Sequence, residues 1–261
     1  MNRIRAVFFD IDGTLVGFKH KVITDRTIAA LQKLRDQGIL LIIASGRPRN
    51  LILNLKDYPF DGYITMNGTY VTYGGEVLLD RPIEKSQSAL VARISDEKGF
   101  PCVAFSADVA AINFENEITA RLNKLLNIGS FPIMPMEEFA EKYPVYQYTV
   151  YVTPEDQETY FSRTRKGTVW HRWHPEMADS IPVDASKAVA VEAVLKHLGI
   201  SREETLSFGD GGNDMAMLQS TGIGVAMGNA MDEVKEIADF VTKDADEDGI
   251  VHALEHFGLI V

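Results

Sequence analysis

Apolar residues fall first into short uninterrupted runs and only later into alternating ones. Ala6–Phe9 is such a run, and it breaks off at Asp-Ile-Asp-Gly-Thr, the pattern of a buried strand that delivers a polar loop. A helix is predicted next. Thr24 suits its N-cap, Ile28, Leu31 and Leu34 recur at helical spacing, and Gly38 suits the position past its end where φ is positive. Residues 39–44 form a second apolar run, which completes a strand, helix, strand unit of the kind that builds a parallel sheet covered on both faces. Another helix is expected before a third strand at residues 62–66. Residues 70–79 read as a hairpin turning at Gly74-Gly75.

The texture changes near Pro82. Residues 82–184 hold both tryptophans and most of the prolines, and alternating stretches such as 145–152 suggest an antiparallel sheet with helices. From Lys187 the earlier rhythm resumes: a helix closed by Gly199, a strand at 205–208, a Gly-Asp-Gly-Gly-Asn-Asp loop and a helix from Met215. Short strands at Ile223–Ala226 and 239–242 precede a terminal helix with Asp248 at its N-cap. The expected fold class is therefore α/β: a Rossmann-like parallel-sheet core from residues 1–81 and 185–261, and an inserted α+β domain from 82–184.

Composition narrows the function. With 261 residues and 46% hydrophobic content, the chain is long enough for one large domain or two modest ones and can bury a sizeable core. Its one cysteine, Cys102, excludes an internal disulfide or a thiolate metal site and reads as a small buried residue. The N-terminal residues lack a signal-peptide pattern and no apolar run reaches membrane-spanning length, so a cytoplasmic address and no membrane partner are expected. A formal net charge of −11 argues against nucleic acid, whose backbone is bound by clustered Lys and Arg. A small anionic substrate stays open, because a metal ion in a cleft can invert the local field.

Ligands of a doubly wound sheet bind beyond the carboxyl ends of its strands. Four polar clusters fall there: Asp10-Ile-Asp12-Gly-Thr14, Ser45-Gly46-Arg47, Asn67-Gly68 and Asp210-Gly-Gly-Asn213-Asp214. Lys187, at a helix start, can reach the same crevice. These residues resemble the motifs of the haloacid dehalogenase (HAD) superfamily, and within it the Cof-type sugar-phosphate phosphatases, whose large cap is inserted between two core segments. Asp10-Ile-Asp-Gly-Thr matches the first motif, Ser45-Gly-Arg47 the second, Ser186-Lys187 the third and residues 209–218 the fourth. Upstream of Lys187 the chain departs from the family's usual Glu-Ile pair, which bears on the substrate and not on the reaction.

The resemblance implies an Mg²⁺-dependent phosphatase. Asp10 would attack phosphorus and carry an aspartyl-phosphate, with positive charge needed because the substrate dianion repels the carboxylate. Asp10, Asp210 and the backbone carbonyl of Asp12 would hold the ion, with Asp214 a further ligand or an anchor behind the ligands. Lys187 would pair with Asp10, the Ser45 hydroxyl would donate to phosphate oxygens, and Asp12 would protonate the leaving sugar oxygen and later deprotonate water. Gly46, Arg47, Asn67 and Asn213 are the candidate substrate contacts. A phosphorylated small molecule, hexose phosphate above all, is the implied partner. The rival readings are a sugar phosphomutase and a sugar-phosphate sensor with little turnover.

Two patterns invite other chemistry. Asp244 to Gly249 followed by Glu255 has the spacing of a calcium loop, but a strand at 239–242 is the wrong entry to one. His171-Arg-Trp-His174 suggests a metal pair or, through Trp170 or Trp173, a platform for a sugar ring; without a carboxylate ligand nearby the metal reading is poor.

Overall fold

The computed structural model describes residues 3–126 and 129–261. The chain divides into two compact units, residues 1–80 with 186–261 and residues 81–185. In the first, the elements before the insertion are β1 (Ala6–Phe9), α1 (Asp25–Asp36), β2 (Leu40–Ala44), β3 (Gly62–Thr65), β4 (Tyr70–Tyr73) and β5 (Glu76–Asp80). The insertion carries α2 (Lys85–Lys98), β6 (Cys102–Phe105), β7 (Ala110–Ile112), α3 (Glu117–Leu126), α4 (Met136–Lys142), β8 (Gln147–Tyr151), α5 (Pro154–Phe161), β9 (Thr168–His174) and β10 (Met177–Pro182). The first unit resumes with α6 (Lys187–Leu198), β11 (Thr205–Gly209), α7 (Met215–Ser220), β12 (Ile223–Ala226), α8 (Asp232–Ile237), β13 (Phe240–Val241) and α9 (Gly249–His256).

Among the described residues the core sheet has eight strands in the order β13-β12-β11-β1-β2-β3-β4-β5. Pairing is parallel from β13 to β3 and antiparallel for β4 and β5. Alternation along β1 shows why both faces must be covered. Val7 and Phe9 join the cluster formed with α1 and α9, whereas Ala6 and Phe8 join Val191 and Val194 of α6. Phe9 stacks on Phe208 of β11, ring centroids 5.3 Å apart, which fixes the two strands that end in Asp10 and Asp210. Strand order reverses between β1 and β11, and the loops after them therefore diverge and leave a crevice.

The expected starts and stops of α1 and α6 hold for the physical reasons given. Thr24 Oγ1 accepts the N–H of Thr27 at 3.1 Å, and Gly38 and Gly199 take positive φ past the helix ends. The helix expected between β2 and β3 does not form. Only a 3-10 turn at Arg49–Leu51 stands there, followed by Lys56 and Asp57 in left-handed conformation and then Pro59, and a continuous helix tolerates neither. Asp248 precedes α9 but does not cap it with its side chain: its own φ is 56°, and the carboxylate pairs with Arg26 at 3.0 Å.

Among its described residues the second unit builds a five-stranded sheet, β7-β6-β8-β10-β9, whose strand pairings are all antiparallel. Its core collects Cys102, Ala104, Tyr148 and Val150 of the strands with Val91, Phe139 and Phe161 of the helices. Trp170 packs at 5.1 Å against Phe161 and its indole donates to Thr164, so that ring belongs to the packing of this unit. Cys102 is buried as expected, and burial raises its thiol pKa. Among the described residues no helix is long and apolar enough to cross a membrane.

Candidate active site

Asp10 follows β1 directly, and its N–H donates to Phe208 of β11 at 3.1 Å, so the main chain is still in the ladder where the side chain begins to work. Lys187 enters from the other face. Ser186 caps α6 by accepting the N–H of Val189 at 3.2 Å, which places Lys187 in the first turn with its side chain buried. The ammonium donates to Asp10 Oδ1 at 2.6 Å and to Asp214 Oδ1 at 2.5 Å. A lysine so deeply buried persists because both partners are carboxylates with hydrogen-bond geometry.

Asp214 is committed on both sides: its second oxygen accepts the N–H groups of Asp210 at 3.0 Å and Gly211 at 2.9 Å. That arrangement suits an anchor for Lys187 and the Asp210 loop. Asp210 is reached by the Thr14 hydroxyl, 3.1 Å from Oδ1, and by Asn229 Nδ2, 3.5 Å from Oδ2. Gly13, at φ 83°, cannot be anything larger, because a Cβ there would overlap the Asp210 carboxylate.

Three carboxylates therefore face one ammonium in a space poor in water. Burial raises the pKa of Asp10 well above its ordinary value, the Lys187 charge works the other way, and Asp214, Asp210 and Asp12 add to the rise. Asp210 is pushed up to about 7, first by burial and then by the charge of Asp214. Burial alone would depress the Lys187 amine, but Asp10 and Asp214 more than offset it and its pKa is raised. The excess negative charge calls for a cation. Asp10, Asp210 and Asp214 can each offer an oxygen within 4.8 Å of the others, and an all-oxygen donor set fits a hard divalent ion such as Mg²⁺.

The remaining predicted residues sit on the neighbouring loops. Ser45 is buried; its Oγ accepts the N–H of Arg47 at 3.1 Å. Arg47 does not stand free. Its guanidinium forks onto Asp12, with Nε donating to Oδ2 at 2.6 Å and Nη2 to Oδ1 at 2.8 Å. Asp12 is half exposed, unlike Asp10. Asn213 Nδ2 donates to Asn67 Oδ1 at 2.8 Å, and a Cβ on Gly46 would come within 3.2 Å of the Asn67 carboxamide, so these candidates form one contiguous wall. Met66, Asn67 and Gly68 all have positive φ, and Gly68 has no room for a Cβ beside the carbonyl of Ser186. The turn thereby packs the Ser45 loop onto the start of α6.

Thr14 and Asn229 touch Asp210 yet went unassigned from sequence. Thr14 stood inside a motif already singled out, and Asn229 lies in the loop that the apolar strand Ile223–Ala226 delivers, three residues past its end; a fifth polar loop after a strand was the available signal. The other acidic string serves packing. Asp246 accepts the N–H groups of Phe18 and Lys19 at 3.1 Å, and a 3-10 turn at Ala245–Glu247 followed by α9 occupies the span of the supposed calcium loop. On β9, His171 lies across from Asp179 and His174 across from Met177, with a bulge between them; neither histidine belongs to the cluster of possible metal ligands found among the described residues.

Residues 7–254 match the family described as haloacid dehalogenase-like hydrolases. Among solved structures, the HAD subclass IIB sugar phosphatase BT4131 is similar with a TM-score of 0.89 and 38% identity, over 98% of this chain and 100% of that one. BT1666 of Bacteroides thetaiotaomicron, a phosphatase of the same superfamily, gives a TM-score of 0.90 at 30% identity, over 99% and 96% of the two chains. YkrA of Bacillus subtilis (strain 168), provisionally named a phosphatase, is 33% identical over 261 residues, 98% of each chain.

Proposed function

The chain belongs to the haloacid dehalogenase-like hydrolases, and from that premise we propose that it is an Mg²⁺-dependent sugar-phosphate phosphatase working through an aspartyl-phosphate on Asp10. The coarser statement, a phosphoric monoester hydrolase, follows from the family and its phosphatase relatives. The observation that carries the finer one is the buried Lys187 ammonium 2.6 Å from Asp10 and 2.5 Å from Asp214, at the crevice between β1 and β11. It supplies fixed positive charge where a carboxylate must approach a phosphate dianion.

Asp10, Asp210 and the main-chain carbonyl of Asp12 would hold the ion, which when bound neutralises charge on both nucleophile and phosphoryl oxygens. The Asp10 carboxylate attacks phosphorus, and Lys187 stays paired with its other oxygen. Ser45 and Asn67 line the phosphoryl pocket. Asp12 gives a proton to the leaving sugar oxygen and then takes one from the water that cleaves the aspartyl-phosphate. To do so it exchanges its Arg47 fork for the substrate, and Arg47 is left to meet phosphate.

Sugar phosphates are favoured by the likeness to BT4131, named a sugar phosphatase. The test is phosphate release from hexose, pentose and polyol phosphates, nucleotides and pyridoxal phosphate, with Mg²⁺ and with EDTA. Hexose phosphates are expected to show the highest kcat/KM and EDTA to abolish turnover. EDTA-resistant turnover contradicts the metal, and a nucleotide as best substrate contradicts the sugar.

A further inference from the structure

Asn229 stands three residues beyond β12, and its carboxamide joins three loops. Nδ2 donates to the carbonyl of Gly13 at 2.8 Å and reaches Asp210 Oδ2 at 3.5 Å. At the other end Oδ1 accepts the N–H of Ala245 at 2.8 Å. A carbonyl can only accept and a backbone N–H can only donate, so these two partners fix which way the amide faces. Its donor end is thus aimed at Asp210.

The Asp210 carboxylate is gripped from two directions. Thr14 Oγ1 donates to Oδ1 at 3.1 Å while Asn229 lies on Oδ2. The backbone of the same residue is tied as well, for its carbonyl accepts the N–H of Met231 at 3.2 Å. Ala245 is in turn anchored: Asp246 beside it accepts N–H groups of Phe18, Lys19 and His20. The segment 244–246 therefore braces Asn229 from outside the site.

We infer that Asn229 is a positioning residue that orients the Asp210 carboxylate for the divalent cation, with Ala245 setting the direction of its amide. The inference rests on the reading of Asp210 as a metal ligand. Asn229 itself acts only through Asp210. Groups that orient metal-binding carboxylates in this way typically change affinity by roughly 10–100-fold when removed.

Calorimetric titration of Mg²⁺ into the metal-free full-length protein tests this in wild type, Asn229→Ala and Ala245→Pro. The proline removes only the N–H that orients the amide. It suits the first position of a 3-10 turn, and Asp244 before it, at ψ 152°, already has the conformation a residue preceding proline adopts. The Mg²⁺ Kd is expected to rise about 10-fold or more in Asn229→Ala and by a smaller factor in Ala245→Pro, whose metal-free melting temperature stays that of wild type. Turnover is expected to recover at saturating Mg²⁺. An unchanged Kd in Asn229→Ala, or in Ala245→Pro should the alanine variant not fold, overturns the inference alone. A wild type that binds no Mg²⁺ overturns the metal reading and the inference with it.

Discussion

Asp10 after β1 and Asp179 within β10 are both buried aspartates, and they are buried for different ends. Asp10 lies in a cluster of carboxylates around the Lys187 ammonium, at a strand terminus where the main chain turns into a loop. Asp179 lies mid-strand in the other unit and is held by neutral donors, the Thr149 hydroxyl at 2.6 Å and the Trp173 side chain. Burial pushes the Asp179 carboxyl up to about 6. One site carries charge matched by an opposite charge and poised for a further cation; the other carries charge softened only by dipoles. Buried ionisable groups are thus not equivalent evidence of chemistry, and a compensating ion at a strand end, where a loop begins, separates them.

The comparison breaks most visibly at Lys187. Lys187→Met leaves Asp10 and Asp214 buried without their cation, and a loss of about 3–5 kcal/mol is expected at neutral pH, together with the loss of phosphate release. Urea unfolding at two pH values reads the sign. The folded carboxyl of Asp10 is raised above its ordinary value, so lowering the pH protonates it and removes part of the penalty. A deficit as large at pH 4.5 as at pH 7.5 contradicts charge compensation as the reason for this lysine.

A smaller effect of opposite sign is expected at Asp179. Because its folded pKa, about 6, exceeds the ordinary 3.8, the folded form binds the proton more tightly, and ionisation costs stability as pH rises from about 4 through 6. Asp179→Asn is expected to gain about 1 kcal/mol at pH 8 and nothing at pH 4, read by melting temperature. A loss at pH 8 would show that the carboxylate stabilises this sheet, and the contrast with Asp10 would fall.

Legibility in the sequence divides along the same line. The core strands are continuous apolar runs because both sheet faces are covered, and each ends in a polar loop, so Asp10, Ser45, Asn67 and Asp210 could be placed at strand ends by pattern alone. What pattern could not show was that Arg47 and Asp12 lock together, or that both oxygens of Asp214 are taken, since these depend on side-chain directions across loops. The segment between β2 and β3 carries enough apolar residues to suggest a helix, but Pro48, Pro59 and the left-handed pair Lys56-Asp57 hold it as turns. In the inserted unit, alternation announced an antiparallel sheet and nothing finer. Asp179 and Ser180 look in sequence like part of the polar approach to Lys187, yet they sit inside β10. Trp170 and Trp173, three residues apart on one strand, look alike in sequence; register sends the first into the hydrophobic core and leaves the second half exposed with its indole on Asp179.

The central claim is that Asp10 is the nucleophile. Asp10→Asn keeps size and burial while removing the attacking carboxylate, so the most direct measurement is phosphate release by this variant at saturating Mg²⁺ and sugar phosphate, beside its melting temperature. The account predicts a fall in kcat of about 10³-fold or more with the fold retained. Turnover within a few-fold of wild type would contradict it.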